Sequence, residues 1–137
     1  MTIRNATYTA QVTVTGGRAG HASSDDGALD VDLRRPGSSE RGTNPEQLFA
    51  AAWAGCFQSA LISAGRQRGI DTSRSRVEAA VGLINDEGVY TLGAEFRIAI
   101  PGVDKATIDE LAATAHQICP YSNATRGNVN VIFVAVD

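Results

Sequence analysis

The sequence predicts an α+β fold in which an antiparallel sheet packs on two helices. Five segments are rich in β-branched residues or alternate between apolar and polar side chains, which is typical of strands. Two others carry helix start signals and apolar residues at helical spacing. The order ββ-α-ββ-α-β, with hairpin turns and no internal repeat, favours antiparallel pairing. The length of 137 residues suits a single domain over 1–137.

The predicted strands are bounded by residues that favour turns. Gly16 and Gly17 end the first strand. The segment 85–88, Asn-Asp-Glu-Gly, has the composition of a hairpin turn between the third and fourth strands. The strands are expected at Thr7–Val14, Ala28–Leu33, Val77–Ile84, Tyr90–Ile100 and Asn128–Val136.

The first helix has a well-marked start. Asn44 is a good N-cap, Pro45 suits the first helical position, and Gln47 stands three residues after the cap. We expect the helix to continue to about Arg68 and to end at Gly69. Its large apolar side chains surround most of the cylinder, which predicts a long, buried, central helix rather than a membrane span. They are Leu48, Phe49, Trp53, Phe57, Leu61 and Ile62.

The second helix is predicted over Lys105–Ile118. Asp104 precedes it as the N-cap. Cys119 stands directly before Pro120, and a residue before proline is pushed out of the α region. We therefore expect the helix to stop at Cys119.

Composition and charge exclude some classes of function. The net charge is −3, the isoelectric point is near 5.3 and Lys105 is the only lysine, so binding to a phosphate backbone is not expected. The first residues contain no apolar run of signal-peptide length, and we expect a cytoplasmic protein. In that reducing compartment, two cysteines are more often free, catalytic or metal-bound than joined as a structural disulfide.

Cys56 is the first candidate for chemistry, although most buried free cysteines are only small apolar side chains. A reactive cysteine must be a thiolate near neutral pH, so its pKa must fall from about 8.5. Cys56 lies about three turns beyond the helix start, outside the range of the helix dipole. A cation from elsewhere in the protein must therefore stabilise the thiolate.

Arg18, in a glycine-rich turn, is a candidate for that cation, and Glu46 could hold it by a bidentate pair. A solvated arginine and a first-turn acid that complements the helix dipole are the alternative interpretations. Glu46 and Cys56 are ten residues apart, which is about 15 Å along a straight helix. If they share one site, either the helix breaks, for which Gly55 is suited, or Glu46 comes from a second subunit.

Cys119 is the second candidate, at a helix end where we expect its thiol to be accessible. Its spacing from Cys56 excludes a Cys-x-x-Cys redox motif. His116 could join the two cysteines as a metal ligand, with His21 the only other histidine, but no standard zinc spacing is present. We therefore predict no metal site and interpret His116 as a cation near a helix C-terminus.

Three segments together resemble the organic hydroperoxide resistance proteins, within the group that includes the osmotically induced bacterial protein. They are Thr15–Gly20, Gly42–Phe57 and His116–Asn128, and the last contains Cys-Pro-Tyr-Ser-Asn-Ala-Thr-Arg-Gly-Asn. The likeness extends over essentially the whole chain. One departure is Ala52-Trp53, where the family often has Gly-Tyr.

The resemblance implies a peroxidatic cysteine at Cys56, a resolving cysteine at Cys119 and an Arg18–Glu46 pair. It also implies an intertwined homodimer with two active sites near the subunit interface. The expected reductant is dihydrolipoamide or a lipoylated protein, with no bound cofactor. Arg126, in the last motif, is a weaker candidate for the role of Arg18.

Thiol chemistry then gives an enzyme mechanism. The Cys56 thiolate attacks the peroxide, becomes a sulfenic acid and condenses with Cys119 to a disulfide, which a dithiol reduces. An apolar wall would favour alkyl or lipid hydroperoxides, unless its members serve only core packing; it would consist of Phe49, Trp53 and Phe57. The rival hypotheses are a non-enzymatic redox sensor or small-ligand-binding protein, and a structural protein with inert cysteines.

Overall fold

The computed structural model describes residues 3–137 and divides them into two compact units, residues 3–48 and residues 49–137. Each unit contains one three-stranded sheet. The α+β class is confirmed, whereas one domain over 1–137 stays a prediction. The elements are β1 (Val12–Thr15), β2 (His21–Ser24), β3 (Asp30–Asp32), α1 (Pro45–Gln67), β4 (Arg76–Asp86), β5 (Val89–Ala99), α2 (Lys105–Ile118), α3 (Pro120–Thr125) and β6 (Asn130–Ala135).

The first unit contains the antiparallel sheet β1-β2-β3. Strand β2 is absent from the prediction, because His-Ala-Ser-Ser contains no β-branched residue. It forms because it pairs on both sides, with β1 and with β3. The predicted first strand is too long at its start. Only Val12–Thr15 find partners, opposite the four residues of β2.

Helix α1 starts as predicted. The side-chain oxygen of Asn44 accepts a hydrogen bond from the backbone N–H of Gln47 at 2.8 Å. The prediction that α1 is buried around most of its circumference, however, is wrong. One stripe is buried while the opposite side, which consists mainly of small residues, is exposed. The buried stripe is Trp53, Phe57, Ala60, Leu61, Ala64 and Gly65.

By length and composition α1 could also cross a membrane. The aromatic residues of its buried stripe pack instead against β5, where Trp53 and Phe57 lie with their ring centroids 5.0 and 5.3 Å from that of Phe96. Within residues 49–137, α1 is therefore a core helix with one exposed side.

The second unit contains the sheet β4-β5-β6. Strands β4 and β5 form the predicted hairpin, whose two-residue loop is Glu87-Gly88. Both residues have positive φ, 50° and 89°, as a type I′ turn requires. Strand β6 lies parallel to β5, because the helical connection through α2 and α3 returns the chain in the same direction. The sheet is therefore mixed rather than purely antiparallel.

Helix α2 has the predicted bounds. Asp104 accepts a hydrogen bond from the Thr107 N–H at 3.0 Å, and Cys119 has extended backbone angles (φ −62°, ψ 121°), as its place before proline requires. The short helix α3 was not predicted. Pro120 occupies its first position, so the proline that ends α2 also starts α3.

The core of the second unit is built on aromatic contacts between α1 and the sheet. The Phe96 ring lies edge-on to those of Trp53, Phe57 and Phe133, at centroid distances of 5.0 to 5.6 Å. Such edge-to-face pairs add stability beyond the area that they bury. Phe96, on β5, therefore holds α1 against the sheet.

Truncation of Phe96 should strongly destabilise this core. Phe96 is completely buried, and Phe96→Ala should lower the free energy of unfolding by about 3–5 kcal/mol. Thr91→Ala, an exposed position on the same strand, is the matched control and should change it by less than about 0.5 kcal/mol. Urea denaturation followed by fluorescence of the buried Trp53 measures both. Equal effects would show that Phe96 has no special role.

Candidate active site

The two cysteines, 63 residues apart in sequence, meet in the second unit. Cys56 lies on α1 and Cys119 at the junction between α2 and α3, and their sulfur atoms are 3.4 Å apart. Both are free thiols. A small displacement would bring the sulfurs to the bonding distance of a disulfide, about 2.05 Å. The fold therefore places the two thiols side by side.

The two thiols differ in exposure. Cys56 is partly exposed, whereas Cys119 has no exposed surface. The expectation that Cys119 is accessible at a helix end is wrong, because α3 continues directly from α2 and encloses the junction. Cys56 therefore keeps some exposed surface, whereas Cys119 is fully enclosed.

Buried polar contacts fix the position of Cys119. Its sulfur accepts a hydrogen bond from the Ser122 N–H at 3.4 Å, and the Ser122 hydroxyl oxygen accepts one from Trp53 Nε1 at 3.2 Å. Ser122 is completely buried. Sequence reasoning missed it, although a buried indole N–H requires an acceptor and a serine in the motif around Cys119 was available.

Burial raises the pKa of the Cys56 thiol. A backbone hydrogen bond from Tyr121 acts in the opposite direction. Cys119 raises the pKa further, first through its hydrogen bond with Cys56 and then because two adjacent thiolates would repel each other. None of these influences comes from a cation. The surroundings of Cys56 therefore favour the neutral thiol, and a cation near its sulfur would favour the thiolate.

Arg18 and Glu46 form a bidentate ion pair in the first unit. Arg18 Nη1 donates to Glu46 Oε2 at 2.8 Å, and Nη2 donates to Oε1 at 2.7 Å. The pKa of the Glu46 carboxyl is lowered, mainly by the hydrogen bonds from Arg18, and the pKa of Arg18 is raised by the same bonds. The Glu46 side chain is 15% exposed and that of Arg18 is 45% exposed. The Glu46 carboxylate is thus largely buried, whereas almost half of the Arg18 side-chain surface stays exposed.

The turn that carries Arg18 depends on glycine. Residues Gly17–Ala19 form one turn of 3₁₀ helix between β1 and β2, preceded by Gly16 in the left-handed region at φ 73°. A Cβ atom on Gly20 would lie 1.7 Å from the carbonyl oxygen of Thr15. No other residue fits at Gly20 without a change in the turn.

Helix α1 is continuous from Pro45 to Gln67. A break between Glu46 and Cys56 is therefore wrong as an explanation of how both could serve one site. Gly55 lies within regular helix, so it produces no kink. The alternative from the sequence, a contribution from a second subunit, stays a proposal.

The remaining sequence candidates have other surroundings. Burial lowers the pKa of His116, and Arg126 lowers it further, so these surroundings favour the neutral ring over the cation that the sequence suggested. Arg126 donates one hydrogen bond to the carbonyl oxygen of His116, near the end of α2, and another to Asn123 Oδ1 at 3.0 Å. Its guanidinium therefore already has two hydrogen-bond partners. Within residues 3–137, no three His, Cys, Asp or Glu side chains are grouped as they would be around a metal ion.

The three aromatic residues of the predicted apolar wall are not equivalent. Trp53 and Phe57 are completely buried in the core, so their surfaces are filled by packing. Phe49 is only partly buried, and its ring lies edge-on to Trp53 at a centroid distance of 5.8 Å. Of the three, Phe49 alone keeps surface that a ligand could contact.

Comparison with known proteins places this arrangement in a family. The family model for OsmC-like protein matches residues 37–133. An organic hydroperoxide resistance protein of Xanthomonas axonopodis pv. citri is 46% identical over 129 residues, covering 90% of this chain and 91% of the relative. Organic hydroperoxide resistance protein OhrB of Bacillus subtilis is 45% identical, over 92% and 96% of the two chains.

The solved structures agree with these matches. The crystal structure of Bacillus subtilis OhrB superposes with a TM-score of 0.89 at 43% identity, over 96% of this chain and 100% of that one. The sequence and structural matches thus extend over nearly the full length, and the family model covers residues 37–133. The chain belongs to the OsmC-like family and, within it, to the organic hydroperoxide resistance proteins.

Proposed function

We propose that this protein is a thiol-dependent peroxidase that reduces organic hydroperoxides to alcohols. One observation carries the proposal: a partly exposed thiol, Cys56, lies 3.4 Å from a completely buried one, Cys119. That asymmetry suits a sulfur that meets the substrate and a second that only resolves the product. The names of the relatives agree with a role in organic hydroperoxide resistance.

In the first step, the Cys56 thiolate attacks the terminal oxygen of the hydroperoxide. The S–O bond forms as the O–O bond breaks, which yields a sulfenic acid and an alkoxide that takes a proton to become the alcohol. The sulfur is oxidised by two electrons and the peroxide is reduced by two. Because Cys119 is enclosed, Cys56 is the only one of the two sulfurs that can carry out this attack.

In the second step, Cys119 attacks the Cys56 sulfenic acid, which releases water and forms a disulfide. The 3.4 Å separation favours this condensation over attack by a second peroxide. The disulfide protects Cys56, because oxidation to the sulfinic acid would be irreversible. The Ser122 N–H that bonds to Cys119 would stabilise its sulfur as it loses a proton.

The third step restores both thiols through a lipoyl-type dithiol, either dihydrolipoamide or a lipoylated protein. One thiolate of the reductant attacks Cys56, the accessible sulfur, and Cys119 leaves as a thiolate. The second thiol of the reductant then displaces Cys56 and closes an oxidised dithiol. No bound cofactor takes part. A cytoplasmic location fits, because a reducing compartment keeps both cysteines available as thiols.

We assign the cation that the Cys56 thiolate requires to Arg18, held by Glu46. Arg18 has a free side and is fixed by two hydrogen bonds, so it can face an anion without losing its partner. We propose an intertwined homodimer, in which a second subunit can bring together residues that one continuous helix keeps apart. Phe49 would offer apolar contact to the alkyl part of the substrate.

Replacing each cysteine separately tests the assigned roles. Cys56→Ser should abolish reduction of an organic hydroperoxide such as cumene hydroperoxide. Cys119→Ser should reduce one equivalent rapidly and then accumulate sulfenic and sulfinic Cys56, because nothing resolves the intermediate. Peroxide consumption and mass spectrometry of the cysteine-containing peptides measure these outcomes. An active Cys56→Ser protein, or a normal catalytic cycle in Cys119→Ser, would contradict the assignment.

Removing the arginine tests the electrostatic argument. In a Cys119→Ser background, where Cys56 is the only thiol, Arg18→Ala should raise the Cys56 pKa by about one unit or more, since a nearby cation favours the thiolate. Arg41→Ala removes an exposed arginine of the same unit and is the control. The ultraviolet absorbance of the thiolate against pH gives both pKa values. If the Cys56 titration is the same with and without Arg18, Arg18 is not the cation that stabilises the thiolate.

A further inference from the structure

His21, at the start of β2, lies between two carboxylates of β3. Its Nδ1 is 2.9 Å from Asp32 Oδ1, and its Nε2 is hydrogen-bonded to Asp30 Oδ1. Both ring nitrogens therefore face acceptors. A neutral imidazole has one donor and one acceptor nitrogen, so only the imidazolium satisfies both contacts. In agreement, the pKa of His21 is raised, first by the hydrogen bond to Asp32 and then by that to Asp30.

The segment Asp32–Arg34 joins the two parts of the first unit that carry the Arg18–Glu46 pair. Towards the arginine turn, the Leu33 N–H donates to the Gly20 carbonyl at 2.8 Å. Towards the start of α1, the Thr43 N–H donates to the Asp32 carbonyl at 2.9 Å, and the Arg34 N–H donates to the Thr43 carbonyl at 2.7 Å. The position of this segment therefore affects how Arg18 meets Glu46.

The charges around His21 make its protonation state matter to that segment. On β3 it faces Asp30 and Asp32, while on β1 its partner in register is the uncharged Thr15. Beyond Asp32, Arg34 Nη2 lies 4.0 Å from the Asp32 carboxylate, and Arg34 Nη1 donates to the Gly20 carbonyl at 3.2 Å. Glu40 pairs with Arg34 at 2.7 Å.

A line of charged groups thus leads from His21 to the base of the arginine turn. Loss of the His21 proton would leave two carboxylates facing one neutral ring, with a nitrogen lone pair directed at one of them. That repulsion would act on β3 at the point where it holds both the turn and the start of the helix.

We propose that His21 is a positioning residue: as an imidazolium between Asp30 and Asp32 it holds the Asp32–Arg34 segment that keeps Arg18 aligned with Glu46. The consequence for catalysis rests on the proposed role of Arg18, whereas the structural effect does not. Because the pKa of His21 is raised in the folded protein, the two contacts of its imidazolium with Asp30 and Asp32 are fully present below the pKa of an unfolded histidine, about 6.5. These contacts are lost as the pH rises through the pKa of His21 in the folded protein.

Nuclear magnetic resonance tests the structural effect without any need for peroxidase activity. The ring titration of His21 gives its pKa, and ¹⁵N relaxation of the Arg18 Nε–H group, assigned by its loss in Arg18→Ala, reports the order of that side chain. We expect Arg18 to be ordered at low pH and to lose order across the His21 titration. In His21→Gln it should be disordered throughout, and in His21→Lys, which keeps a cation, it should stay ordered at higher pH.

Two further variants keep the test decisive. Asp30→Asn, at a side chain that is 66% exposed, should leave the fold intact and move the transition to lower pH. Asp25→Asn, an exposed neighbour at the end of β2 that does not face His21, should behave as the unchanged protein. The proposal would be overturned if the order of the Arg18 side chain did not change across the His21 titration. It would also be overturned if that order were the same in His21→Gln and in Asp30→Asn as in the unchanged protein.

The peroxidase rate provides the second measurement. At pH values above the pKa of His21, the rate of the unchanged protein should fall by about two- to fivefold relative to that of His21→Lys. This is the range expected for a partly exposed network of charges. If the Arg18 side chain loses order and the peroxidase rate does not fall, the effect of His21 on Arg18 and the role of Arg18 in catalysis can be judged separately. That result would leave the positioning effect standing and contradict the role of Arg18 in catalysis.

Discussion

The second unit is organised around one contact, the 3.4 Å approach of the Cys56 and Cys119 sulfurs. Cys56 takes its place from α1, which the rings of the buried stripe hold against β5 through Phe96. Cys119 takes its place from a proline-induced change of direction between two helices and from the hydrogen bond of the Ser122 N–H. Aromatic packing and one backbone turn therefore set the distance over which a disulfide could form.

The same enclosure that protects the sulfur pair opposes its reactivity. Burial raises the pKa of Cys56, and a second thiol beside it raises the pKa further. A cation near Cys56 would favour its thiolate. In the first unit, Arg18 pairs with a carboxylate that is itself largely enclosed. The turn of Arg18 depends in turn on Gly20, where no Cβ atom fits.

Sequence reasoning succeeded where one local rule decides the structure: the Asn44 cap, the Glu87-Gly88 turn and the end of α2 before Pro120. It failed where tertiary contacts decide. Strand β2 has no strand composition and forms only because it pairs on both sides. The enclosure of Cys119 depends on α3, a helix too short to show a periodic pattern. No spacing in the sequence shows that the ring of His21 lies between two carboxylates, because that requires the register of β2 against β3.

Under the proposed function, organic hydroperoxides oxidise the Cys56–Cys119 pair in every catalytic cycle. The most direct measurement is the number of equivalents of cumene hydroperoxide reduced per chain with excess dihydrolipoamide, compared with hydrogen peroxide and with thioredoxin as reductant. We expect many equivalents, reduced faster for the organic hydroperoxide and only when the lipoyl dithiol is supplied. Reduction that stops after one equivalent per chain would contradict this expectation and indicate a stoichiometric redox sensor.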